Sequence, residues 1–226
     1  VKAKSSSDNV RKIEKRLDRL HAALAKDRSK KYCIHLWSKF IKERDDYRCI
    51  NCKSKINISA HHICRKSFLG NAQFQTGNGI TLCSKCHKLI HRGFNRRPDL
   101  SLPVDAQNGE KLSCMGRLYS ILTDDAVNRG LIREDFYFLT NELLEFYKRM
   151  QGLESGVNFP GLPIEQAFLI LSETEFPLRQ AIAKANGVNI PSLPLFPGGL
   201  CLVFEKDGYT EENIVRTYKP RSTTKQ

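Results

Sequence analysis

Five of the eight cysteines and four of the six histidines in this 226-residue chain fall between residues 49 and 91. Cys49-Ile-Asn-Cys52 and Cys83-Ser-Lys-Cys86 are C-x-x-C pairs with 30 residues between them. A C-x-x-C turn aims two thiolates at one ion, and two such turns complete a tetrahedral site with no open position. With no place left for water or substrate, such a site is structural, and its binding free energy helps to fold a small module. Cys49, Cys52, Cys83 and Cys86 are therefore expected to hold a structural zinc ion. Cys33, Cys114 and Cys201 are scattered singles, and clustered pairs of this kind read as metal ligands and not as a secreted disulfide scaffold. Cys64 is read as a buried thiol or as an extra soft ligand.

The histidines carry a second kind of chemistry. His61 and His62 are adjacent, after the β-prone Ile56 and Ile58, and neighbouring side chains of a strand point to opposite faces. His87 and His91 are four apart, so a helix starting near the second knuckle puts them on one face. One of the paired histidines can join His87 and His91 on a metal while its neighbour stays free as a base. Three neutral imidazoles leave coordination positions open, which is the layout of a catalytic ion.

The elements that must position these groups can be read around them. Ser5-Ser-Ser-Asp8 offers an N-cap, followed by Val10, Ile13, Leu17, Leu20 and Leu24 at helical spacing. This stripe packs on its own protein or on a second copy. A second helix is expected over Lys31 to Asp46, with Trp37, Phe40 and Ile41 on one side, leading into Cys49. Residues 98–110 read as a linker. Beyond it, Lys111 to Leu122, Glu134 to Met150 and Ile164 to Ala185 have helical character, and Leu200–Glu205 with Asn213–Tyr218 suggest a β-hairpin. The expected class is α+β: a basic N-terminal helical segment (1–36), a metal-bound module (37–97), the linker, and a mostly helical C-terminal domain (111–226).

Charge separates these parts. Residues 1–97 hold 24 Lys+Arg against 7 Asp+Glu, a net +17, whereas residues 98–226 hold 13 against 17, a net −4. A block this lopsided points to a polyanion, because each phosphate it neutralises releases counterions. No run of about 18 apolar residues occurs, so a membrane partner is not expected. With no secretory signal pattern either, the expected location is the cytoplasm.

Four signatures, in order, carry a family resemblance: Arg-Asp-Asp-Tyr-Arg-Cys-Ile-Asn-Cys (44–52), Ala-His-His-Ile (60–63), Asn-Gly-Ile-Thr-Leu-Cys-Ser-Lys-Cys-His (78–87) and the closing Leu-Ile-His (89–91). Over residues 37–95 the chain resembles the HNH endonucleases, which have the ββα-metal fold. The resemblance implies that His62 is the general base activating water, and that His61 and His87 ligate a catalytic divalent ion such as Mg²⁺, Mn²⁺, Ni²⁺ or Zn²⁺. His91 then serves the metal or the scissile phosphate. Asn78 would bond the backbone and fix the loop carrying the base. Arg65, Lys66, Lys88, Arg92, Arg96 and Arg97, with Lys85, surround this set and are expected to meet a DNA backbone. Where many members of the family have Asp before the base this chain has His61, where Gly often follows the first knuckle it has Lys53, and a frequent Pro after the paired histidines is missing. The implied function is metal-dependent hydrolysis of DNA phosphodiester bonds, in a restriction or defence setting of bacteria or phages. The alternative is a zinc-stabilised nucleic-acid-binding module that does not cut, and a third reading is a protein-interaction factor built on the knuckle. A protein partner or homodimer could use the N-terminal helix or the C-terminal domain.

Overall fold

The apolar stripe of the N-terminus is buried. In the computed structural model, which describes residues 2–91, 112–151, 153 and 156–172, helix α1 runs Lys2–Ala25 and places Ile13, Leu17 and Leu20 against α2 (Lys30–Arg44). α1 begins before the serine run, so Ser5 to Asp8 lie inside the helix and do not cap it. Serine costs only a few tenths of a kcal/mol inside a helix, too little to stop one already anchored by a buried stripe. α2 buries Cys33, Trp37, Phe40, Ile41 and Arg44, and ends at Arg44 with Asp45 as its C-cap, two residues short of the expected boundary.

Strands β1 (Ile58–His62) and β2 (Gly79–Cys83) pair antiparallel, with Ile58 opposite Cys83, His61 opposite Ile80 and His62 opposite Gly79. All five residues of β2 are buried, covered by α2 and by α3 (Ser84–Ile90). Three short 3₁₀ turns, Lys66–Phe68, Gly70–Phe74 and Thr76–Asn78, make the connection between the strands. Gly79 admits no side chain: a Cβ there would lie 2.6 Å from Trp37 Cζ2 and 2.5 Å from Ile41 Cδ1.

Helices α4 (Leu112–Asn128), α5 (Asn141–Gln151) and α6 (Pro163–Ser172) follow, with α4 and α5 both packed on α6. α4 extends past Leu122 and closes at Gly130, a left-handed residue (φ 62°) that lets the Leu131 amide reach back to the Ala126 carbonyl. The expected single helix over Glu134 to Met150 is broken. Asp135–Tyr137 form a 3₁₀ turn, and Phe138 is extended because its amide bonds Thr76 Oγ1 while its carbonyl accepts from the Gly77 amide. These long-range bonds override local helical preference. The expected helix at Ile164 to Ala185 is described as far as Ser172; its remainder, the linker 98–110 and the hairpin segments at 200–205 and 213–218 lie outside the described residues.

The described residues are thus helix-rich with one small antiparallel sheet, and none of their helices is long and apolar enough to cross a membrane. One buried ion pair ties the parts together. Arg44, fully buried, bonds Asp45 Oδ1 at 2.8 Å, the Thr76 carbonyl at 2.8 Å and the Gly79 carbonyl at 2.6 Å, while its guanidinium lies 4.3 Å from the Tyr137 ring centroid. Asp45 Oδ2 in turn accepts from the Thr81 amide at 2.7 Å. Every polar end of this pair is used, which is what a buried charge requires.

Candidate metal centres and the histidine site

The first knuckle hangs from the end of α2 and the second opens α3, and the sheet brings them together. The Ile50 amide bonds the Thr81 carbonyl at 2.9 Å and the Cys49 amide bonds the Ser54 carbonyl at 2.8 Å. The sulfurs of Cys49, Cys52, Cys83 and Cys86 all lie within 4.8 Å of one another, close enough for one tetrahedral ion such as zinc. Cys52 is exposed and the other three are buried. A bond from Cys86 holds the Cys83 thiol down to about 7, against its burial, and Asn51 Nδ2 lies 3.2 Å from Cys86 Sγ. Lys53, just past this knuckle, is left-handed (φ 62°), a conformation that glycine adopts without strain. Its ammonium meets Asp125 of α4 at 2.7 Å, beside Arg48 at 2.9 Å and Arg129 at 2.6 Å.

On β1, successive side chains diverge as a strand requires. His61 is buried and comes together with His87 and His91 of the α3 end: one ring nitrogen of each lies within 4.8 Å of the others, and His87 Nε2 is 3.1 Å from His91 Nε2. The three rings stand nearly perpendicular, with centroids 4.6 to 5.0 Å apart. Burial, then the neighbouring His87 and His91, push His61 down to about 2; burial lowers His87 and His91 as well. All three imidazoles are therefore neutral, with lone pairs to offer. Three such donors fit a divalent ion and leave coordination positions open to other ligands.

His62 faces away from this cluster and stacks on Trp37, ring centroids 4.0 Å apart at 8°. Its Nε2 lies 3.1 Å from the Gln73 carbonyl oxygen, which can only accept, so Nε2 carries the proton and Nδ1 keeps the lone pair. Burial pushes His62 down to about 4 despite that bond. Asn78 braces the backbone just beyond it: Asn78 Oδ1 accepts from the Cys64 amide at 2.8 Å and Nδ2 donates to the Cys64 carbonyl at 3.1 Å. The Ile63 amide bonds the Asn78 carbonyl as well, at 3.0 Å. Cys64 is buried and belongs to neither donor cluster.

Of the basic residues, Arg65 is half-buried and adds its field to His61 and His91, Lys66 is exposed near His62, and Lys85 and Lys88 are exposed on α3. Arg92, Arg96 and Arg97 lie outside the described residues. Sequence reasoning left several groups without a role. Trp37 was legible only as an apolar helix position, yet it is the stacking floor of His62. Arg44 and Asp45 stood inside a quoted motif with no task attached. The Tyr147 hydroxyl, which donates to Asn78 Oδ1 at 3.4 Å and meets Tyr119 at 2.9 Å, carried no local signal.

Comparison with family models, with curated proteins and with solved structures gives no match for this chain.

Proposed function

We propose that the chain is a metal-dependent endonuclease of the HNH type that hydrolyses DNA phosphodiester bonds. One observation carries this reading: a three-imidazole cluster with open coordination positions sits on one face of β1, and the next residue is a neutral histidine locked in one tautomer. His61, His87 and His91 would hold a divalent ion, which when bound would supply charge stabilisation to the scissile phosphate and the leaving oxygen. His62 Nδ1 takes the proton of the attacking water, its ring kept in place by Trp37 and by the Gln73 carbonyl. Arg65 and Lys66 add positive charge where a phosphate would approach. Asn78 acts on the backbone that follows the base. The four-cysteine site serves the fold alone, and the net +17 of residues 1–97 supports a polyanionic substrate.

The test is cleavage of supercoiled plasmid by wild type and His62→Ala with Mg²⁺, Mn²⁺, Ni²⁺ or EDTA. Metal-dependent nicking by wild type alone supports the reading. Equal cutting by both removes His62 as the base. Salt-sensitive binding with no cutting by either favours a binding module that does not cut.

A further inference from the structure

We infer that the turn joining α1 to α2 is a second contact for the DNA backbone, flanking the phosphate that is cut; this rests on the nuclease reading above. Lys26, Arg28, Lys30 and Lys31 crowd this turn and are all exposed, beside an exposed Tyr32. Asp27 is the sole acidic residue between 26 and 32. No ion pair among the described residues engages any of the four cations. Elsewhere on the two helices Glu14 is engaged by Arg133 at 2.8 Å and Glu43 by Arg16 at 3.3 Å, and neither turns to these cations. The positive charge at the turn is thus left for an external anion.

The turn is also held in shape. The Arg28 amide bonds the Ala23 carbonyl, and the Cys33 amide bonds the Ser29 carbonyl, both at 3.0 Å. Cys33 Sγ donates to the Arg28 carbonyl at 3.4 Å. A cation cluster on an ordered turn is pre-positioned, so ordering it on binding costs little.

Its place relative to the site favours duplex DNA. α2 carries Trp37, which stacks on His62, and its N-terminal half continues past the base towards Lys30. Seven residues at 1.5 Å each separate Lys30 from Trp37, a rise of about 10 Å. At 3.4 Å per step along one strand, that is about three steps of duplex. A backbone that crosses His62 and follows the α2 axis has phosphates within reach of the turn. Contacts to phosphates carry no base sequence, so this contact fixes register and orientation.

The test measures duplex affinity against salt in the His62→Ala background, which keeps the DNA intact, with and without Lys26→Ala, Arg28→Ala, Lys30→Ala and Lys31→Ala together. Each lost phosphate contact lowers the slope of log K against log salt by about 0.9. The slope is expected to fall by about 2 to 4, with the melting temperature unchanged because all four side chains are exposed. Lys31→Glu alone is expected to weaken binding, and provides the reading if the fourfold variant misfolds. If wild type cuts plasmid but these changes leave the slope within about half a unit, the turn's role is overturned and the nuclease reading stands. If the His62→Ala protein binds no duplex at any salt, both fall together.

Discussion

Asn78→Ala tests how the backbone beyond His62 is held. Asn78 and Cys64 are both 0% exposed, so no water replaces what the amide supplies. The substitution removes the bonds that Asn78 makes to the Cys64 amide, at 2.8 Å, and to the Cys64 carbonyl, at 3.1 Å. Losing a hydrogen bond in so buried a place costs about 1–3 kcal/mol, so the two together cost about 2–6 kcal/mol. With a urea dependence of about 1–3 kcal/mol per molar, the unfolding midpoint of zinc-loaded protein should fall by about 1 M or more. Asn78→Asp is no milder, because it keeps the acceptor for the amide but turns a second oxygen towards the Cys64 carbonyl. Tyr147→Phe removes a longer bond to the same amide and the 2.9 Å bond to Tyr119, so a smaller loss of about 0.5–1.5 kcal/mol is expected. The assay is urea unfolding followed by far-ultraviolet circular dichroism, with zinc content measured beside it. An Asn78→Ala midpoint equal to wild type would refute the bracing role and leave only a direct part in chemistry.

Four further outcomes are expected. Lys53→Gly should leave stability unchanged or raise it by up to about 1 kcal/mol, since glycine relieves the left-handed backbone and Asp125 keeps Arg48 and Arg129; a clear loss in a thermal melt would contradict this. Burial raises the Asp125 carboxyl, but Lys53, Arg129 and Arg48 outweigh it and hold the folded pKa below the usual value. Its stabilisation is therefore complete above the unfolded pKa of about 3.9 and is lost as pH falls through the folded one. Asp125→Asn should then destabilise the protein most at neutral pH and least in acid, as read by melts across pH, and a deficit independent of pH would contradict the linkage. Gly79→Ala should cost about 1–3 kcal/mol by overpacking against Trp37 and Ile41 and should disturb the His62 stack; an unperturbed Trp37 fluorescence spectrum would count against it. Chelation that strips the four-cysteine site, or Cys49→Ser, should unfold residues 49–91, seen as lost circular dichroism and restored by zinc, and a metal-free protein with an unchanged melt would contradict a structural ion.

Much of the site is legible because its spacings are local. Two residues between cysteines and three between His87 and His91 state which side chains can share an ion, and the period of a strand states that His61 and His62 diverge. The rest depends on contacts with no local trace. Tyr147 reaches Asn78 across 69 positions, and Arg129 bonds the Arg44 carbonyl across 85. The extended run at Phe138 reads as helix because its amide partner, Thr76, is 62 positions away. The helix start at Lys2 was misplaced for the opposite reason: the serines gave a strong local signal that the buried stripe overrode.

In the proposed mechanism two separate metal sites divide the work, with His62 beside the second as the base. Metal content and plasmid cleavage, measured together on wild type, His62→Ala and His87→Ala, test it most directly. The expected result is a full metal complement without cleavage in His62→Ala, loss of only the histidine-bound ion with loss of cleavage in His87→Ala, and zinc retained at the cysteines throughout. Cleavage at the wild-type rate by His62→Ala, or zinc lost from the cysteines when His62 is removed, would contradict it.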